Sequence, residues 1–203
     1  GADHLAFPGF IDPHTHAIFA GDRSAEYFMR WAGRSYVQIA QAGGGIHATV
    51  RATNSADDDT LRRALTATLM EMASCGATVV EVKSGYANSA EGELRLLGLI
   101  RQVSQWAERR GLAIPLVRSS LLALHALPAG REEDAYVEEM IGAAGRAAAE
   151  GLACHVDSFP ERGFFSLEAA LRFSSAAAQA GLPCKVHADE LCDLGSSAAF
   201  VRL

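Results

Sequence analysis

The 203-residue sequence predicts an α/β fold, a (β/α)8 TIM-type barrel of which about the first five βα units are present. Three observations predict it. Apolar, β-branched runs alternate with amphipathic helical stretches, each unit spanning tens of residues, as parallel strands joined by helical crossovers require. No GxGxxG follows the first strand, which weakens the alternative of a dinucleotide-binding doubly wound sheet. Finally, His16, Tyr86, His125, Asp157, His187 and Glu190 all fall at or just past the C-terminal ends of different strands. In a barrel those ends form the active-site rim.

The first strand is read in Phe7-Pro8-Gly9-Phe10-Ile11-Asp12-Pro13-His14-Thr15-His16, as a buried strand. Residues i and i+2 of an extended chain face one side, so His14 and His16 point together and could grip one metal ion, with Asp12 in phase. An HxH pair also arises by chance. A strand that buries three polar side chains on one face, however, needs something polar for them to bind.

A polar stretch with Arg23 and Gly43-Gly44-Gly45 follows and reads as a long loop with some helix, its glycines a flexible connection, because no GK[ST] follows. Ser55 is read as the start of a helix with Asp58 at the capping-box position and Leu61, Leu65, Leu69 and Met72 on its apolar face. Thr78 to Lys83 is a β-branched strand running into Ser84-Gly85-Tyr86. Ser89 caps the next helix, whose inner face is Leu96, Ile100, Val103 and Ala107 and whose stop is Gly111. Ile114 to Leu124 is the third strand, and a helix over 132–150 buries Val137, Met140, Ile141, Ala144 and Ala148. Cys154 to Phe159 is a fourth strand. Ser166 then opens a helix with Leu167, Ala170, Leu171 and Ala178 inward, and Pro183 to Asp189 is a fifth strand. Ala198 to Leu203 reads as the first turns of a further helix, so the chain is expected to be a piece of a longer protein.

Composition narrows the function classes. A hydrophobic content of 49% with 21% charged residues is that of an ordered enzyme-like domain. The net charge of −6 and the absence of clustered Lys and Arg argue against a nucleic-acid or anionic-membrane partner. Cys75, Cys154, Cys184 and Cys192 are far apart without CxxC spacing, so neither a zinc ribbon nor a disulfide scaffold is indicated, and a reducing cytoplasm fits. No apolar run approaches the roughly 20 residues of a membrane span. Gly1-Ala2-Asp3-His4 has no basic, then apolar, leader pattern.

His14, His16 and His187 would offer three neutral nitrogens from two strands, which suits zinc or another divalent transition ion with a position left for water. Such an ion activates water and polarises a carbonyl, so hydrolysis of an amide-like bond is the natural reaction class. Glu190, three residues past His187, could pass protons at the pocket mouth or simply favour a helix dipole. Asp189 is read as supporting His187 or capping a helix. Arg23 is a surface arginine or a clamp for a substrate carboxylate. Glu81 and Lys83 share a strand face and are expected to pair inside the barrel.

These residues carry a family resemblance. Pro8-Gly9-Phe10-Ile11-Asp12-Pro13-His14-Thr15-His16 resembles the motif of the amidohydrolase superfamily. Gly43-Gly44-Gly45-Ile46, Glu81-Val82-Lys83-Ser84-Gly85-Tyr86, His125-Ala126-Leu127-Pro128 and Val186-His187-Ala188-Asp189-Glu190 resemble the imidazolonepropionase family, in the same order. The resemblance implies a metal-dependent hydrolase of histidine degradation that opens 4-imidazolone-5-propanoate to N-formimidoyl-L-glutamate. It implies His14, His16 and His187 as ligands of one divalent ion, zinc or iron. Arg23, Tyr86, His125 and Glu190 match substrate-contacting residues, with Glu190 and His125 the catalytic candidates. The substrate class is thus a small anionic heterocycle, and a homodimer is compatible with it. The family's metal-binding aspartate, its last barrel strands and its flanking β-sandwich would lie outside residues 1–203, so this stretch alone is expected to be inactive. Ser196-Ser197 and His155 depart from the expected pattern away from the site. Two alternatives remain: another cyclic amidohydrolase or deaminase, and a non-catalytic metal-binding half-barrel.

Overall fold

The computed structural model describes Asp3 and residues 5–203. Gly1, Ala2 and His4, part of the start read above for a leader, lie outside the described residues. Strands β1 (Phe10–Asp12), β2 (Ala77–Lys83), β3 (Leu116–Leu124) and β4 (His155–Ser158) form one parallel sheet in the order β1-β2-β3-β4. Successive strands are neighbours with no reversal of direction across the sheet, the progression of a barrel. A doubly wound sheet would show a switch point.

The expected fifth strand is reduced to one bridge between Val156 and Cys184. The segment is nevertheless extended beside β4. Val156 N–H donates to the Pro183 carbonyl at 3.0 Å, Lys185 N–H to Val156 at 2.8 Å and His187 N–H to Ser158 at 2.9 Å. A left-handed backbone at Asp189 (φ 54°) turns the chain away within two residues of His187, which stops the ladder.

The sheet must curl strongly. Four spacings of about 4.8 Å would separate the first and fifth positions of a flat sheet by about 19 Å. Instead, Lys185 Nζ on the fifth segment lies 3.0 Å from the carbonyl oxygen of Pro13, just past β1. Five positions therefore enclose a common interior.

The first strand differs from expectation. It has three residues rather than ten, and Phe10 (58% exposed) and Ile11 (68%) are not buried. The reason is its place at the sheet edge, with β2 alone beside it among the described residues. The long β1–β2 connection is also more helical than expected, with α1 (Ser24–Trp31), α2 (Tyr36–Gln41) and α3 (Ile46–Ser55). Gly43-Gly44-Gly45 is a fixed turn and not a flexible connection. A Cβ on Gly44 would sit 2.8 Å from both Glu26 Oε1 and Ile39 Cγ2, and Gly45 (φ 65°) caps α3.

The remaining helices are α4 (Asp58–Ser74), α5 (Ala90–Arg110), α6 (Glu133–Ala149), α7 (Leu167–Gln179) and α8 (Ser196–Phe200). Ser55 ends α3 rather than opening α4. The cap is Asp57, whose carboxylate accepts the Thr60 N–H at 2.7 Å. Ser89 does cap α5, accepting from Gly92 N–H at 3.2 Å, and Gly111 ends it in the left-handed region (φ 62°). Ser89→Ala is therefore expected to cost about 1 kcal/mol in denaturant unfolding. Ser55→Ala should leave the midpoint unchanged, and equal effects would contradict this assignment of the caps.

Leu61, Leu65 and Leu69 of α4 pack with Leu96, Ile100, Val103 and Ala107 of α5 and with Val137, Met140 and Ala144 of α6. They close over Val80, Val82, Leu121 and Leu124 from the sheet in a single core. Tyr136, which the apolar pattern of α6 passes over, is fully buried, stacked 5.8 Å from Phe165 with its hydroxyl donating to the Ala123 carbonyl. The inner face of α7 is Ala169, Ala170, Phe173 and Ala177, while Ala178 is exposed. Ala170 is inward as expected, and Leu167 and Leu171 are half-buried. No described helix is long and apolar enough to cross a membrane.

Candidate metal centre and substrate cleft

His14-Thr15-His16 lies just past β1, where the backbone remains extended beside β2. Lys83 N–H donates to the Thr15 carbonyl at 3.0 Å, and the Thr15 hydroxyl donates to the Glu81 carbonyl. Thr15 points to the buried side and pins the segment, so the flanking imidazoles share the opposite face, as alternation requires. His187 comes from the fifth segment. One ligand nitrogen from each of His14, His16 and His187 lies within 4.8 Å of the others.

The chemistry of this set fits a divalent transition ion. His16 Nε2 and His187 Nε2 are 3.2 Å apart. Two nitrogens at about 2.0–2.1 Å from one tetrahedral ion lie about 3.3 Å from each other. His187 Nδ1 faces Asp157 Oδ1 at 3.1 Å. A carboxylate can only accept there, so Nδ1 carries a proton and Nε2 is the nitrogen turned toward His16. Burial, followed by the neighbouring imidazoles of His125, His187 and His14, holds the His16 pKa down to about 3. His16 is thus neutral near pH 7, the state that metal ligation requires. Burial and then His187 also lower the pKa of His14.

Beside the imidazoles opens a cleft of about 250 Å³ lined by Arg23, Arg30, Tyr36, Tyr86, His125, Phe159, His187 and Glu190. The His125 ring centre lies 5.2 Å from those of both His16 and Tyr86. Its Nδ1–H donates to the Gly85 carbonyl at 2.8 Å, which leaves Nε2 free to accept. Burial pushes its pKa down to about 4. Gly85 is required there: at φ 112° a Cβ would sit 2.9 Å from Leu122 and 3.0 Å from His125 Nδ1. A larger hollow of about 610 Å³ lies on the outer helical layer between α4 and α5, around Met70 and Trp106, and contains none of these groups.

Arg23 reaches the cleft but is not free. Its Nε and Nη2 donate to Glu26 Oε2 at 2.9 and 2.8 Å, while Glu26 Oε1 accepts the Gly45 N–H at 2.8 Å. The pair fixes the guanidinium in the cleft that Tyr86 also lines. Glu190 is exposed at the cleft rim, and the short link after it is held by Glu161, whose carboxylate accepts the Leu191 N–H at 2.8 Å. Asp189 caps α8 by accepting from the Leu194, Ser196 and Ser197 N–H groups, so its role is capping and not support of His187.

Sequence reasoning placed Asp157 on the rim without a role, and here it holds His187. It passed over Arg30 and Tyr36 entirely. Arg30 reaches the cleft from α1, whereas Arg23 precedes that helix as its N-cap. Glu81 and Lys83 pair as expected, at 2.6 Å.

No family profile matches the chain. Curated relatives do. The chain is 45% identical over 202 residues to an imidazolonepropionase of Cupriavidus metallidurans, covering 96% of this chain and 46% of that protein. It is 42% identical over 201 residues to that of Paracoccus denitrificans, covering 98% and 49%. With that of Haloarcula marismortui it shares 42% over 194 residues, covering 94% and 44%. The chain thus spans about half the length of the curated relatives it matches. Among solved structures, a 5-methylcytosine deaminase from Klebsiella pneumoniae superposes with a TM-score of 0.62 at 17% identity, covering 93% of this chain and 41% of that one. That likeness speaks for the fold alone, a partial (β/α) barrel. By sequence, the chain matches over nearly its whole length about half of an imidazolonepropionase.

Proposed function

We propose that this chain carries the metal-holding and substrate-orienting half of a hydrolase that opens 4-imidazolone-5-propanoate to N-formimidoyl-L-glutamate. The observation that supports it is the convergence of three imidazoles beside a cleft holding an arginine, tyrosines and a fourth histidine. His14, His16 and His187 would hold one divalent ion, zinc or iron. When bound, that ion supplies Lewis acidity that activates water and polarises the ring carbonyl.

The chain's own residues do the rest. Arg23, fixed by Glu26, and Tyr86 hold the propionate carboxylate by charge-assisted hydrogen bonds. His125, with Nε2 free, accepts from a ring N–H and fixes the ring's rotation. Glu190 at the rim takes a proton from the attacking water and returns it to the ring nitrogen as the C–N bond breaks. Phe159 walls the cleft and limits water. The reaction belongs to a small soluble metabolite and suits a cytoplasmic protein.

A chimera in which these residues replace the matching half of the Paracoccus denitrificans relative tests the reading. Metal-dependent conversion of 4-imidazolone-5-propanoate to N-formimidoyl-L-glutamate is expected. A folded, metal-loaded chimera without turnover refutes it. In an active chimera, Arg23→Ala should raise KM about 10–100-fold for the propionate-bearing ring, the loss of a charge-assisted hydrogen bond. The unsubstituted ring should be little affected. Equal effects on the two rings would favour a deaminase-like or other cyclic amidohydrolase specificity.

A further inference from the structure

Beneath the three imidazoles the interior holds a chain of charges that packing alone does not require. Lys83 is fully buried, with Nζ 2.6 Å from Glu81 Oε2 and 2.6 Å from Asp157 Oδ2. Glu81 Oε1 pairs with Lys185 at 2.9 Å and accepts from the Ser120 hydroxyl. Asp157, 1% exposed, is divided between two tasks. Its Oδ2 meets Lys83, while Oδ1 accepts the Ser158 N–H at 2.8 Å and faces His187 Nδ1 at 3.1 Å.

We propose that Lys83 is a positioning residue of the metal centre, acting through Asp157 on His187. The proposal rests on the reading of His187 as a metal-holding residue and goes beyond it. Removing two carboxylates and an ammonium from water costs several kcal/mol per ion, and apolar residues of similar size often stabilise such a site equally well. The arrangement does what an apolar one cannot. Lys83 is the one lysine or arginine paired with Asp157 among the described residues, and by holding Oδ2 it keeps Oδ1 turned toward His187. Asp157 in turn fixes the Nδ1–H tautomer, which leaves His187 Nε2 to face His16 Nε2. Without Lys83, Asp157 Oδ2 would be buried without a partner, the carboxylate would rotate to find one, and His187 would lose its orientation.

The test is zinc affinity of the 203-residue protein, measured by competition with a fluorescent chelator. Lys83→Met is expected to weaken zinc binding 10–100-fold, the usual loss when an outer partner of a ligating histidine is removed. Asp157→Asn should give a similar loss, and the double variant should be no weaker than the worse single one, because both act along one path. Lys83→Met with wild-type affinity overturns the proposal, as do losses that simply add. Should Lys83→Met not fold, the wild type decides. The 15N resonance of the Lys83 ammonium should move during a zinc titration with the same midpoint as the His187 ring signals, and a Lys83 resonance that ignores zinc overturns the proposal. A wild-type chain that binds no zinc is a different outcome, which removes the metal reading and this proposal with it.

Discussion

His16→Ala is expected to abolish zinc binding, and with it any rise in thermal midpoint that zinc confers. His16 sits where the rings converge, with its centre 5.3 Å from those of both His14 and His187 and 5.2 Å from His125. The loss should exceed the 10–100-fold that removal of an outer partner such as Asp157 costs, because a coordinating nitrogen itself is gone. For the wild type, zinc at 100 times its dissociation constant stabilises the folded chain by about 2.7 kcal/mol. In His16→Ala that increment disappears. The metal-free variant should not lose a hydrogen bond through Nδ1 of His16, which is buried with no partner. Scanning calorimetry with and without zinc checks both parts. A zinc-dependent rise that survives in His16→Ala would mean that the ion, if held at all, is held by other groups.

The same convergence shows what the sequence can and cannot carry. His14 and His16 were legible because alternation is local: whichever way the strand sits, i and i+2 face together. His187 was legible because it ends a short apolar run preceded by a helix stop. The length of β1 was not, since the edge position that exposes Phe10 and Ile11 depends on what lies beside the strand. The fifth strand faded for a related reason, because the turn at Asp189 is set by the carboxylate that caps α8, five to eight residues on. The partnership of Lys83 with Asp157 joins residues on β2 and β4 and leaves no periodic trace. Arg30 and Tyr36 escaped because α1 and α2 are short and α1 buries none of its side chains, so no core-facing stripe marks the segment that brings them to the cleft.

A second large effect is expected at Glu93, in the first turns of α5. Glu93 is 1% exposed and pairs with no cation among the described residues. Its carboxylate instead accepts three backbone N–H groups: Gly85 on Oε2, and Ala87 and Asn88 on Oε1 at 2.7 and 2.9 Å. These three amides belong to the link that carries Tyr86 into the cleft and whose Gly85 carbonyl fixes His125. Burying donors without acceptors costs about 1–3 kcal/mol each, so Glu93→Ala should destabilise the chain by about 3 kcal/mol or more. Glu93→Gln keeps one oxygen and should fall between the two, because its amide N–H would confront either one donor or two. The decisive reading is local. Hydrogen exchange at Gly85, Ala87 and Asn88 should quicken in both variants by more than in the α6 core, since the link loses its anchor before the sheet does. Uniform acceleration across the chain would assign Glu93 to the stability of the whole fold instead. The expected pattern makes it the side chain that holds Tyr86 and His125 in register, from a helix that itself never enters the cleft.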